Sequence, residues 1–298
     1  MAIKESSEKK DLPQSEEKNK FKVFVKRARK NKAFMIGGSI IFVFLIMALM
    51  PDVIAPYNPL EKNMELRLTS PNASHWLGTD DFGRDILSRI IHGAQISFEY
   101  GLLAVAISMI AGSTIGVLAG YFGGKLDEVL MRIVDVVLAF PSVLLAILIV
   151  AILGPKLENA MIAIGIVNTP SYARLLRSST LVIKNNEYIE SSIANGAGHI
   201  RIIFNHILPN CMTPIIVQAT LGIGGAILEM AGLSFLGLGA QPPTPEWGAM
   251  LNNAREFIQS APWVITFPGI AIILAVLSFN LLGDGLRDLL DPHTAKKQ

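Results

Sequence analysis

The groups that could carry chemistry are few in this 298-residue chain. A phosphate-cradling loop needs G-x-x-x-x-G-K-[ST], because closely spaced backbone N–H groups and a lysine must surround the phosphates. The nearest approach is Gly124-Lys125, with Ala119 where the first glycine belongs and Leu126 where Ser or Thr should stand. His75, His92, His199, His206 and His293 form no H-E-x-x-H or comparable ligand pair. Asp80, Asp81, Arg84 and Asp85 cluster, and grouped carboxylates can hold a cation. Their D-D-F-G setting reads better as a turn, with Asp side chains bonding local backbone and Gly83 supplying a permissive conformation. Cys211 is the single cysteine, which excludes an intrachain disulfide; it reads as a small buried hydrophobe. The chain therefore carries no catalytic residue set, no metal site and no nucleotide site of its own. Energy for any uphill work must enter from another chain.

One ionisable group remains. Glu229 lies about 16 residues past Thr213 in an apolar run, ~24 Å along a helix. A carboxylate at that depth is costly, so it faces a bundle interior or watery path, or sits near the outer interface satisfied by a helix terminus.

The elements that must position these residues follow from composition. Hydrophobic residues make up 51% and charged residues 17%, against about 25% charged in soluble domains. Mean hydropathy is +0.46. So few charges cannot cover a soluble domain of this size, and the solvent is lipid. A uniformly basic nucleic-acid-binding surface is absent, at a net charge of +2. Runs free of Asp, Glu, Lys and Arg cover Ala33–Pro51, Tyr100–Gly124, Val136–Pro155, Ile202–Leu228 and Phe257–Gly283. Each approaches the roughly 20 residues that cross a bilayer. Asn159–Ala173 is shorter and interrupted by Asn168, Thr169 and Pro170. Counting it makes six spans with both termini on one side. That side then holds 20 Lys and Arg against six opposite, the positive-inside pattern of cytoplasmic termini.

The N-terminus is no signal peptide, because its polar lead is long and no cleavage pattern follows the apolar run. Residues 1–20 read as a disordered cytoplasmic tail. Residues 21–32 read as a basic amphipathic segment, either lying on the anionic inner leaflet or serving only as a topogenic flank. On the second span, Ala104, Ser108, Gly112, Gly116 and Gly120 recur every fourth residue, a seam for close helix packing. Gly283–Asp291 reads as the end of the last helix, glycine being favoured there.

The longest inner loop, about Leu175–Pro209, offers two short helical stretches around Gly196 with apolar Ile200, Ile202, Ile203 and Phe204. Such a helix–glycine–helix suits either a partner's groove or an interfacial seat on lipid.

The loop carries a resemblance. A pattern of Glu-Ala-Ala, three residues, Gly, nine residues and Ile-x-Leu-Pro is matched by Glu190, Gly196 and Leu208-Pro209, with Ser191 and Ser192 replacing the alanines and His206 at the Ile position. HWLGTDDFGRD (His75–Asp85), LSFLGLGAQPPTPEWGAML (Leu233–Leu251) and NLLGDGLRDLLDP (Asn280–Pro292) add to it. In these stretches the chain resembles the permease subunits of ATP-binding-cassette importers, in the dipeptide/oligopeptide/nickel group, from about residue 20 to 292.

The resemblance implies an all-α membrane protein of the type I importer permease fold, in the inner membrane of a prokaryote. It implies a first helix and extracytoplasmic loop at 33–95, a core permease domain at 96–292 with a coupling loop at 185–210, and a tail at 293–298. Glu190, Ser191, Ser192, Gly196, Ala197, Ile200, Arg201, Leu208 and Pro209 would dock in ATPase partners, which bind ATP and magnesium. A second permease would complete the path, with Glu229 as its candidate lining. An extracytoplasmic binding protein would deliver solute near Asp80, Asp81, Arg84, Asp85, Glu246 and Trp247. Short peptides are the leading cargo and nickel or a nickel chelate the alternative. An ion-coupled carrier, a membrane enzyme and a pure scaffold fit the residues less well.

Overall fold

The computed structural model describes residues 25–290. The expected tail at 1–20, the first four residues of the segment at 21–32 and the tail at 293–298 lie outside the described residues. Among the described residues every regular element is helical, with one isolated antiparallel bridge between Thr79 and Asp85.

Helix α1 spans Lys32–Leu49, and Asn31 caps it by accepting from the Phe34 N–H at 3.0 Å. An irregular outer segment follows and ends at Asp85, whose carboxylate accepts from the Ser88 N–H at 2.8 Å and caps α2, Ile86–Phe122. At 37 residues, α2 is about 55 Å long and outreaches ~30 Å of hydrocarbon. It starts well before Tyr100, so a domain boundary between residues 95 and 96 falls inside it. Charge-free runs miss this first part because Glu99 and, further back, Arg89 interrupt it. That guanidinium is buried, donating to the Pro59 carbonyl at 2.9 Å and lying 3.5 Å from Asp80.

The expected third span is two helices, α3 (Gly124–Leu138) and α4 (Ser142–Leu153), bent by 90° at the break. Pro141 sits at the break and disfavours a helical conformation at Phe140 before it. Helix α5, Leu157–Lys184, runs unbroken through Pro170 despite the interruptions in its sequence. The inner loop contains α6 (Glu187–Ala194), α7 (His199–Ile202) and a π turn at Ile203–Ile207. Helix α8 spans Met212–Phe235, α9 Trp247–Ala254 and α10 Trp263–Leu290. The fifth apolar helix begins at Met212, next to the start expected near Thr213, and Ile202–Phe204 fall in the loop helices before it.

Helix α10 also does not stop at its glycines. A Cβ on Gly283 would come within 2.5 Å of Leu221, and one on Gly285 within 2.7 Å of Phe34. Those glycines admit neighbouring helices; the helix is described to Leu290, within the Gly283–Asp291 stretch, and what is corrected is the role of its glycines, which pack rather than cap.

Among the described residues four helices (α1, α2, α8 and α10) are long and apolar enough to cross a membrane, and the bent pair α3–α4 makes up to five. Helix α5 falls short because Asn159, Asn168, Arg174 and Arg177 dilute it. It is nevertheless the main packing partner of α2.

The contact is the stripe of small residues. A Cβ on Gly112 would lie 2.5 Å from the Thr169 carbonyl and from the Tyr172 Cβ. One on Gly116 would strike the Ala173 carbonyl, and one on Gly120 would lie 2.8 Å from the Thr180 Cβ. Ala104 has no exposed surface. Ser108 donates to the Gly165 carbonyl across the seam at 3.0 Å. Close approach maximises dispersion where lipid supplies no hydrophobic drive.

Successive stretches of α2 also seed three apolar clusters. Ile86, Ile90 and Ala94 meet Trp247, Phe44 and Phe279; Ala104 and Val105 meet α4, α5 and α8; Val117 and Tyr121 meet the inner loop. Gly116→Val should lower stability by about 1–3 kcal/mol, as overpacking does, read as earlier thermal aggregation in detergent. Gly38→Val, facing only Leu282 at 3.9 Å, should stay near wild type.

Candidate functional site

The inner loop has a fixed base and an apolar outer surface. Ile189, Ile202, Ile207 and Cys211 are fully buried against Val117, Tyr121, Leu176, Ile183 and Ile215. Polar clasps tie the same base: the Tyr121 hydroxyl lies 2.8 Å from His199 Nδ1, and Lys184 Nζ donates to the Tyr121 carbonyl at 2.6 Å. On the outer side Ile193, Phe204 and Ile200 are exposed, Ile200 to 75%. A hollow of about 700 Å³ is lined by Gly198, His199, Ile200, Arg201, Phe204 and Asn205.

Gly196 makes the turn possible. Its φ is +79°, and the Gly196 N–H donates to the Ile193 carbonyl while the Ala197 N–H donates to that of Ser192. This paired closure is a Schellman C-cap, which favours glycine. No atom lies within 4 Å of where a Cβ would stand, so the demand is conformational rather than steric. Glu190, Ser191, Arg201 and Pro209 are exposed, and Ser192, Ala197 and Leu208 are half-buried. Two departures from the loop pattern meet: Ser192 Oγ lies 3.5 Å from His206 Nε2 and donates to the Tyr188 carbonyl at 2.8 Å.

Within the apolar layer, Glu229 on α8 is half-buried, and Asn168 Nδ2 on α5 donates to its Oε2 at 2.8 Å. The sequence reading found Glu229 and treated Asn168 only as an interruption. The available signal was the rule applied to Glu229: a polar side chain deep in an apolar stretch requires a partner.

The outer residues are placed differently from expectation. Asp80, Arg84, Asp85, Glu246 and Trp247 are all buried, so their side chains hold the loops together rather than presenting themselves outward. Asp80 accepts from the Arg84 Nε at 2.7 Å and from the N–H groups of Phe82 and Arg84. Asp81 is the partial exception, 3.6 Å from Arg84; burial, with Asp80 adjacent, pushes its carboxyl above the usual range. Asp85 lies 2.9 Å from His75 Nδ1 and accepts from Ser88. The turn reading of this cluster holds, with Gly83 at φ +71°.

Glu246 caps α9 by accepting from the N–H groups of Gly248 at 2.9 Å and Ala249 at 2.8 Å. Burial pushes its carboxyl up, and those two bonds oppose the shift. Trp247 has no exposed surface and donates from Nε1 to the Ile90 carbonyl at 3.0 Å. It fills space that Gly93 leaves open, since a Cβ there would come within 2.5 Å of the indole. Exposure on the outer segment falls instead on Trp76, at 71%.

Residues 112–296 match the family model for the binding-protein-dependent transport system inner membrane component, and residues 20–71 match the N-terminal TM domain of oligopeptide transport permease C. The chain is 54% identical to the dipeptide transport system permease protein DppC of Alkalihalophilus pseudofirmus, covering 90% of this chain and 88% of the relative. It is 51% identical to the protein of that name in Escherichia coli, over 89% and 90%. It is 47% identical to the glutathione transport system permease protein GsiD of Pectobacterium atrosepticum, over 90% of each. A solved structure of the MetNI methionine ABC transporter in an inward-facing conformation shares the fold, at a TM-score of 0.58 and 19% identity, over 69% of this chain and 98% of that chain.

Gly196→Ala should cost about 1–2 kcal/mol locally, the penalty of a left-handed conformation with a Cβ. Hydrogen exchange at Ala197 should accelerate while amides of the α2–α5 seam stay protected; unchanged exchange at Ala197 would contradict the capping role.

Proposed function

The chain belongs to the family of binding-protein-dependent transport system inner membrane components, and from that premise we propose that it pairs with a second permease to import short peptides. The observation that carries the mechanism is the inner loop: a turn fixed at Gly196 projects Ile193, Ile200 and Phe204 from a buried base. Nothing in the sequence cradles a nucleotide, and a partner's groove is the fitting seat for such a surface. Two cytoplasmic ATPases would bind ATP and magnesium and grip this loop on each permease.

The peptide assignment rests on the relatives, which are named for dipeptide and glutathione transport. Nickel, the alternative the resemblance left open, is not favoured. We further propose six crossings with both termini in the cytoplasm of a prokaryotic cell. The Lys/Arg asymmetry supports this topology, and so does the packing of α5 against α2, because a buried polar helix can cross where a lipid-facing one cannot. An extracytoplasmic binding protein would dock on the outer segment around exposed Trp76, with Asp80, Asp85 and Glu246 shaping the surface from beneath.

Work then follows from differential binding. ATP brings the ATPases together, the two loops move with them, and the bundles rock between inward-open and outward-open states around a fixed path. Each partner shifts the equilibrium only by its difference in affinity for the two states.

The test is uptake of labelled dipeptide by proteoliposomes holding the full complex and its binding protein. Wild-type uptake should require ATP. Gly196→Pro and Ala197→Trp should each reduce uptake per ATP about tenfold, equivalent to ~1.4 kcal/mol of coupling. Unchanged coupling in both variants would contradict the docking role.

A further inference from the structure

Glu229 and Asn168 form a polar pair whose chemistry is incomplete within this chain. Asn168 occupies one carboxylate oxygen of Glu229. Among the described residues no Lys, Arg or His forms an ion pair with that carboxylate; the ion pairs present lie elsewhere. Two acceptors, Glu229 Oε1 and Asn168 Oδ1, have no protein donor among the described residues. A carboxylate so placed in an apolar layer calls for a cation.

The surroundings leave room for one. Gly225 and Gly232 stand one turn before and one turn after Glu229, on the same face of α8. Both are exposed, and no atom lies within 4 Å of where a Cβ on either would stand. The other glycines of α8 differ. A Cβ on Gly222 would come within 2.6 Å of the Tyr172 hydroxyl, and one on Gly224 within 3.2 Å of Phe279. Beside the carboxylate, then, the α8 backbone is open at Gly225 and Gly232 with Leu228 exposed between them, while Gly222 and Gly224 are packed against neighbouring side chains.

We propose that Glu229, oriented by Asn168, is the subsite that receives the α-ammonium group of a peptide in transit. This rests on the peptide-import reading above. A peptide's terminal amine has a pKa of about 8 and is cationic at neutral pH. Its three N–H donors and lack of acceptors match the two open oxygens. The adjacent glycines leave the peptide's first side chain unselected, which suits a carrier of peptides differing in sequence. The occupant is an ammonium rather than a bare metal ion: the pair supplies one carboxylate and one amide, and among the described residues no group of three His, Cys, Asp or Glu could hold a metal.

The test uses the full complex with its binding protein. Glu229→Gln preserves shape and an acceptor for Asn168 and removes only the charge. It should reduce dipeptide uptake about tenfold, the loss expected for one charge-assisted bond, while ATPase stimulation by the loaded binding protein persists. Glu229→Asp should recover part of the rate. A wild-type complex that imports no dipeptide overturns the peptide reading and this proposal with it. Wild-type uptake that Glu229→Gln leaves unchanged overturns this proposal alone.

A second readout does not depend on the Gln variant assembling. Gly225→Cys in a Cys211→Ala background should react faster with a cationic methanethiosulfonate than with an anionic one, and dipeptide in the working complex should slow that reaction. Equal rates, or no protection by dipeptide, would overturn the proposal.

Discussion

Everything in this chain depends on how closely two helices can approach. Between α2 and α5 the backbones come so near that Gly112, Gly116 and Gly120 have no space for a methyl group, and the Ser108 hydroxyl crosses to the Gly165 carbonyl. In lipid no hydrophobic effect drives helices together, so this contact area and the few interhelical hydrogen bonds must hold the bundle. Moving the seam would move Asn168, which lies one residue before Thr169 on its α5 side. It would also move Tyr121 and Leu176, on which the inner loop rests. One interface therefore sets both the Glu229 carboxylate and the apolar surface of the loop.

That arrangement gives a physical reason for a polar helix inside an apolar protein. Helix α5 contributes Asn168 to Glu229, Arg177 to Asp127 and Arg174 to Asp135. The two arginines fasten α3, whose Arg177–Asp127 contact is bidentate at 2.5 and 2.6 Å. A helix fully exposed to lipid could not carry these groups. Packed on the α2 stripe, α5 carries them between its neighbours, joining the loop at its C-terminal end to the Glu229 carboxylate at its middle.

Much of this was legible from residue types. The stripe from Ala104 to Gly120, the D-D-F-G turn and the break at Gly196 each follow from a local rule, and each appears where the rule puts it. The misreadings share one cause. Glu99 and Arg89 hid the first turns of α2, Asn168 and Pro170 interrupt the apolar run of α5, and Gly283 and Gly285 suggested an ending where helices cross. Several of these residues, unfavourable to their own segment, are compensated by distant ones: Asp80 and Pro59 for Arg89, Glu229 for Asn168, Phe34 and Leu221 for the glycines. Hydropathy along a chain records local character and is blind to such partners. The outer loops failed for the converse reason. Charged and aromatic residues at Asp80, Asp85, Glu246 and Trp247 suggest a contact surface, yet they are spent on satisfying backbone groups that the irregular segment would otherwise bury unpaired.

The central claim is that this chain is powered through its inner loop by a separate ATPase. Its most direct test is a short-range cross-link from a single cysteine placed by Ile200→Cys in a Cys211→Ala background, in the purified complex. The account predicts one covalent adduct with an ATPase subunit, and protection of that cysteine from soluble reagents only when the ATPases are present. A cysteine at position 200 that labels freely in the intact complex and forms no adduct would contradict it.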